Sequence, residues 1–423
     1  MTAGPTTHLL VLSAPSADKL ADTAREAADR LVRPDGTPVH EVCARAAAGP
    51  HATHRLSAVG GTARELADRL HAHLRGETVR GISTGVADGV PQVAFLFSGQ
   101  GAQFAGMGQG LYRAEPVYRE TFDRCAEAAR PFVSAPLQRL LYPDADARLV
   151  HRPAHGALGT FCTGMALAEL WRSRGVGPAA VLGFGSGEYT AAACAGVLSV
   201  EDAVRLLGTE ITLAERVTDG AMAVVALDEG AALDLLGGSE PSVGIAAIVS
   251  PREVTLSGRA ADLARITERL AASGVRVTAL PVRAGLHSPL QEPALDELEA
   301  AAGTVDVRAP RVPFVSTVTG RPAQAADLTP GHWRRHMRGP VRFLDAIRAV
   351  DALGIRIGVE LGPGRALVGL GARCLPGRGR LWPASLGRST DGTGTALGAL
   401  GQLYTAGVPV NRSRVGPGIH GTD

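Results

Sequence analysis

Val181-Leu182-Gly183-Phe184-Gly185-Ser186-Gly187-Glu188-Tyr189 is the stretch on which the fold turns. It reads as a buried strand running into a tight glycine turn and then a helix. That is the plan of a nucleophile elbow, G-x-S-x-G, in which a strained turn lifts a serine hydroxyl above a sheet. In this chain the third position of the pattern is Gly185, and the serine stands one place later, at Ser186. The local sequence therefore specifies the scaffold of covalent catalysis with its usual nucleophile removed.

Upstream, Val93-Ala94-Phe95-Leu96-Phe97 is a continuous apolar strand that feeds the loop Ser98-Gly99-Gln100-Gly101-Ala102-Gln103. An apolar strand entering a glycine-rich loop gathers backbone amides at the edge of a site. Before it, His8 to Ser13 predicts a short strand. Ser16 predicts the cap of a helix with apolar positions Leu20, Ala24, Ala27 and Leu31, and a second helix runs through 62–70. Residues 85–89 read as the exit loop of this first α/β unit. Downstream, the pattern changes between 222 and 282. Short strands at 222–226, 243–248, 254–256 and 275–277, separated by two helical stretches, give the β-α-β-β-α-β order of a ferredoxin-like insert. The chain returns through Gly285-Leu286-His287-Ser288-Pro289 and closes with a strand at 355–361 and the turn Gly362-Pro363-Gly364.

Composition narrows the function classes. A chain of 423 residues predicts two or three subdomains. Its net charge of +2 gives no footprint for nucleic acid. No apolar window is long enough to span a bilayer, and no signal segment opens the chain, so the expectation is a cytoplasmic protein with no membrane partner. Cys43, Cys125, Cys162, Cys194 and Cys374 form no C-x-x-C pair and read as reduced core residues, with no metal site.

Taken together and in order, these landmarks resemble the acyltransferase domains of polyketide synthases and the malonyl-CoA:acyl carrier protein transacylases. Gly99 to Gln103 is similar to the family's G-Q-G-x-Q loop, and Gly106-Met107-Gly108 to its G-M-G. Gly183 to Glu188 matches G-H-S-x-G-E in length. Ala284-Gly285-Leu286-His287 falls where the family carries a specificity tetrad ending in its catalytic histidine. Ser316 to Gly320, Trp333, Pro340 to Phe343 and Glu360 to Gly364 match later elements. The resemblance implies an α/β fold: an α/β-hydrolase-like large subdomain (93–221 and 286–400) with a ferredoxin-like small subdomain inserted (222–285). A linker domain of the kind that follows ketosynthases (1–92) precedes them, and a tail (401–423) follows. It implies no bound cofactor, an acyl-CoA or phosphopantetheine-linked acyl substrate, and an acyl carrier protein as partner. Arg172 with Arg174, and Arg334, Arg335 and Arg338, are basic groups suited to an acidic carrier surface. The oligomeric state is left open.

The departures from the family matter most. By position, Gly185 replaces the nucleophile and Phe184 the histidine before it, while His287 and Gln100 are retained. Gln100 and Ser186 stand where the family's oxyanion amides are. In Val204-Arg205-Leu206-Leu207-Gly208-Thr209-Glu210, Glu210 holds the place of the arginine that pairs with a malonyl carboxylate. Two like charges there repel, so a malonyl substrate is not expected. Glu210 reads either as a solvated helix face or as a pocket carboxylate for a cationic group. Val249 takes the place of an asparagine. Small Ala284 and Gly285 leave room for a larger acyl group, beside Leu286. Ser186 reads either as a displaced nucleophile, which would put Phe184 where the turn wants glycine, or as a polar residue at the helix start. Two functions remain open. One is an acyl-thioester enzyme in which His287 activates water, an amine or an alcohol directly. The other is an inactive pseudo-acyltransferase that binds a carrier protein or synthase partner.

Overall fold

The protein is described here from a computed structural model, which covers residues 7–33, 37–49, 51–142, 146–237, 241–282, 285–388 and 392–411. Ala284, the first residue of the tetrad, and the end of the tail lie outside the described residues.

The described residues between 7 and 86 carry a three-stranded antiparallel sheet of β1 (His8–Ala14), β2 (His54–Gly60) and β3 (Ile82–Val86). The helix Ala17–Leu31 starts where the Ser16 hydroxyl accepts the Lys19 amide. Such a cap is worth about 1 kcal/mol. Ala28, not Ala27, completes its buried face with Leu20, Ala24 and Leu31, because i, i+4 and i+8 share one side of a helix. The segment expected to be an exit loop is partly strand: Gly85 and Val86 pair with Arg55 and His54.

The main sheet has five strands in the order β11-β10-β5-β4-β12. Here β4 is Val93–Phe97, β5 Ala180–Gly183, β10 Phe314–Ser316, β11 Arg321–Pro322 and β12 Ile357–Leu361. The strands β10, β5, β4 and β12 run parallel, and β11 closes the edge antiparallel. Both faces of β4 are buried, which is why its sequence is continuously apolar. Helix Pro153–Ser173, buried along almost its whole length, packs against this sheet, which is why its sequence is so apolar. Among the described residues no helix is long and apolar enough to cross a membrane.

The inserted subdomain has the strand order β7-β8-β6-β9, from β6 (Gly220–Val225), β7 (Val243–Ser250), β8 (Glu253–Arg259) and β9 (Val277–Leu280). With helices Glu229–Leu236 and Ala260–Ala272 this is the expected ferredoxin-like arrangement. One apolar cluster runs from β7 and β8 through Phe343 to Leu96 and Leu182, so the two subdomains share a core. The helix Thr393–Thr405 crosses the boundary expected at residue 400. Leu403, Tyr404 and Thr405 are buried, and the Tyr404 carbonyl accepts from Arg55 of β2 at 2.9 Å. All five cysteines are buried and unpaired.

Candidate active site

The elbow forms where β5 ends. A side-chain carbon on Gly183 would lie 2.1 Å from the Gly187 carbonyl carbon, and one on Gly187 would lie 2.3 Å from the Phe97 oxygen. Only glycine lets strand, turn and helix cross this closely. Gly185 sits at the crest with φ +53°, in the left-handed region a nucleophile elbow demands. Glycine takes this conformation without a side chain to strain. Phe184 anchors the turn: its amide donates to the Phe97 carbonyl at 3.0 Å, and its half-buried ring meets Phe343 at 5.7 Å.

Opposite the elbow, His287 also has a positive φ, +54°, rare for a residue with a side chain. The carbonyl of His336 can only accept, so His287 Nδ1 carries the hydrogen in their 2.9 Å bond. That leaves Nε2 as the acceptor, and it lies 3.6 Å from the point where a side chain on Gly185 would begin. Burial, followed by the neighbouring His336, depresses the His287 pKa to about 4. His287 is therefore a neutral imidazole with its basic nitrogen aimed at the Gly185 position.

Beneath the crest lies a buried charge pair that sequence reading missed. His336 donates from Nδ1 to Glu210 and from Nε2 to the Gly185 carbonyl, each at 2.9 Å. Two acceptors require two hydrogens, so His336 is an imidazolium. Burial opposes that charge, but Glu210 overrides it and the pKa rises to about 9. Glu210 also accepts from the Tyr189 hydroxyl at 2.6 Å. Of the two readings of Glu210, the solvated face is excluded: the residue is buried and its carboxylate is committed to His336 and Tyr189. The available signal was the spacing of His332 and His336, four apart on one helix face. His332 in turn faces Glu188 at 3.3 Å, and Glu188 accepts from Ser316, Thr317 Oγ1 and the Thr317 amide. These bonds tie the elbow helix Gly187–Ala195 to β10.

The loop after β4 meets the elbow directly. The Gln100 amide donates to Ser186 Oγ at 2.8 Å. Ser186 makes no side-chain cap on its own helix, because its hydroxyl turns back to this loop. No hydrogen bond joins Ser186 to His287 among the described residues. Gln103 is buried and accepts from the Gly101 amide at 2.6 Å. Ser98 donates to buried Glu360 at 2.8 Å, and Glu360 accepts the Val368 amide at 3.0 Å, fixing the loop to β12. Leu286 is half-buried beside Leu213, Leu298 and Met337. Val249 is buried in the shared apolar core, on whose edge Phe184 lies.

A strand-elbow-helix with a histidine over its crest, facing a glutamine loop across a parallel sheet, defines the architecture. A model of the acyl transferase domain matches residues 94–376. The chain belongs to the acyl transferase domain family. It is 36% identical over 424 residues to the phenolphthiocerol synthesis polyketide synthase Pks15/1 of Mycobacterium bovis, covering 99% of this chain and 20% of that protein. It is 35% identical over 372 residues to erythronolide synthase EryA2 of Saccharopolyspora erythraea, covering 84% of this chain and 10% of that protein. The chain thus spans a fifth or less of these curated relatives. Among solved structures, the acyl transferase domain of SpnD, in complex with 2-(pent-4-yn-1-yl)malonyl, superposes with a TM-score of 0.85 at 32% identity, over 97% of this chain and 98% of that one. Malonyl-CoA:acyl carrier protein transacylase from Xanthomonas oryzae superposes with a TM-score of 0.65 at 29% identity, over 70% of this chain and 94% of that one. The α/β-hydrolase-like large subdomain and ferredoxin-like small subdomain of this acyltransferase family are those described above.

Four of the five arginines considered for carrier docking are engaged within the chain, and the fifth, Arg335, is exposed. Arg174 is buried against Glu115 at 2.6 Å. Arg334 pairs with Asp296 and Glu299, Arg338 with Glu292, and Arg172 with Glu169.

Proposed function

We propose that this acyltransferase of polyketide assembly takes an acyl thioester, on coenzyme A or a carrier protein of the cytoplasm, without forming a serine ester. The acyl group is not a malonyl group. The observation that carries this reading is the 3.6 Å between His287 Nε2 and the origin of the missing side chain. A base with its acceptor nitrogen fixed by Nδ1–H bonding is matched to the space where a small nucleophile would stand. His287 would take a proton from water, an alcohol or an amine as its oxygen or nitrogen adds to the thioester carbonyl. Collapse would break the C–S bond, and the departing thiolate would recover the proton from His287. A non-malonyl acyl group is supported by the His336 charge, which buried Glu210 already balances and which is therefore not free to pair with a malonyl carboxylate.

A second reading, a pseudo-acyltransferase that only binds, has its own support. Two polar groups that would meet a substrate are spent internally, the Gln100 amide on Ser186 and Glu210 on His336. Intact-protein mass spectrometry with a panel of acyl-CoA and acyl-carrier thioesters, with released thiol followed in parallel, separates the two. Thiol release without a protein adduct, lost in His287→Ala, is the expected result. An adduct lost in Ser186→Ala would make Ser186 a displaced nucleophile and overturn the proposal. Binding without thiol release would establish the pseudoenzyme.

A further inference from the structure

The Ser186 hydroxyl has one hydrogen and two lone pairs to place. The Gln100 amide fills one lone pair at 2.8 Å. The hydrogen has no acceptor among the described residues: Ser186 does not cap its own helix and makes no bond to His287. The residue is half-buried, and the neighbouring position, Gly185, carries no side chain to cover it. A hydroxyl whose oxygen accepts an N–H bond is itself a stronger donor. The loop cannot withdraw from this contact easily. Gly99 approaches the Phe184 carbonyl so closely that an added side-chain carbon would lie 2.2 Å from that oxygen, and Ser98 is held by Glu360.

We infer that the Ser186 hydroxyl is the ligand of the acyl carbonyl oxygen, with the Gln100 amide acting through it. The Ser186 amide, ahead of the first bonded amides of the elbow helix, is the second donor. Gly187 N–H and Glu188 N–H already bond the carbonyls of Phe184 and Gly185. The carbonyl oxygen then sits one hydroxyl further from the loop than a direct amide bond would place it. The space left by Gly185 accommodates that displacement. Ser186 thereby gains a role as a hydrogen-bond donor to substrate, distinct from that of a nucleophile, and the chain selects ligands with a carbonyl beside the sulfur position. This rests on the proposal that an acyl thioester enters the cleft.

The test compares two uncleavable probes by calorimetry: a ketone analogue of butyryl-CoA, with CH2 in place of the thioester sulfur, and S-butyl-CoA, which has no carbonyl. The wild-type protein should bind the ketone about tenfold more tightly, the worth of one good hydrogen bond. Ser186→Ala should lose that tenfold for the ketone and leave S-butyl-CoA unchanged, and Ser186→Thr, which keeps the hydroxyl, should restore it. Equal weakening of both probes would make Ser186 merely structural and overturn the inference. Tighter ketone binding by Ser186→Ala would do so too, showing that the hydroxyl blocks the Gln100 amide. Binding of neither probe by the wild-type protein would instead strike down the functional reading itself.

Discussion

His287 Nε2 lies 3.6 Å from the point at which a side chain on Gly185 would begin. Base and crest therefore keep the register of a catalytic pair although one member has no functional group. The Gly185 carbonyl is held from below by His336 at 2.9 Å, and His287 is held from behind by the His336 carbonyl at the same distance. One residue thus sets both halves of the relationship, which holds base and crest in register without any bond between them.

Gly185→Ser should return a nucleophile within hydrogen-bond reach of His287. The side chain must accept φ +53°, at a cost of about 1–2 kcal/mol. The expected outcome is a folded protein, slightly less heat-stable, that gains the mass of one acyl group on incubation with an acyl-CoA. The adduct should vanish in Gly185→Ser/His287→Ala. A folded Gly185→Ser that stays unmodified across a broad panel would show that the register alone does not suffice.

The two histidines give stability opposite pH dependences. His287 titrates near 4 when folded against an ordinary 6.5, so the unfolded chain binds the proton first as pH falls. Its contribution is complete above 6.5 and drains away toward 4. His336 titrates near 9, so its contribution is complete below 6.5 and lost as pH rises through 9. The site as a whole should be most stabilising near pH 6.5. Melting temperatures of the wild type minus His287→Gln should diverge as pH rises from 4 to 6.5. Those of the wild type minus His336→Asn should converge as pH rises from 6.5 to 9. Flat differences would mean that neither ring holds the charge state its hydrogen bonds require.

Much of this site was legible because it is written in contiguous residues. The elbow glycines, the Gln100 loop and the Leu286-His287-Ser288 turn each announce themselves locally, through a change of period or a forced turn. His336 did not, because its meaning comes from Glu210, 126 positions away, and from a carbonyl it reaches across the fold. Reading Glu210 alone left a choice between solvent and a substrate cation. Its real partners, a tyrosine and a histidine on two other helices, are a tertiary fact. The same holds for Ser186, which by position reads either as a displaced nucleophile or as a polar residue at the helix start, and whose hydroxyl the loop after β4 claims. Strand ends at 85–86 and 249–250 were misjudged for a different reason: pairing with a neighbour, not local propensity, extends them.

Two glycines provide a stability contrast. Gly187→Ala would put a carbon 2.3 Å from the Phe97 oxygen at the strand-helix crossing, and the backbone there has no room to yield. A loss of about 3 kcal/mol or more is expected, with little soluble protein at 37 °C. Gly369→Ala, in the helix Ala366–Cys374, meets nothing within 4 Å and should stabilise by up to about 1 kcal/mol. Equal melting temperatures for the two variants would show that the elbow is not as tightly crossed as its geometry indicates.

Glu210 and His336 form the last and most specific test, because their side chains are only 11% and 1% exposed. Glu210→Gln strands an imidazolium in the core, and His336→Asn strands a carboxylate. Each should cost about 3–5 kcal/mol, since breaking one side of a buried pair leaves the other charge unpaid. The double variant strands neither and should cost clearly less than the sum, a coupling above about 1 kcal/mol by denaturant titration. The same variants address specificity. Both Tyr189 and His336 bond Glu210 through Oε2, and the His336 imidazolium already balances its charge, so Glu210 offers a substrate amine no unpaired negative charge. Glu210→Gln should therefore change the affinity for an aminoacyl-CoA and for a neutral acyl-CoA of equal length by the same factor. A loss confined to the amine would mean that the carboxylate leaves His336 when substrate arrives, and the pocket would then read charge after all.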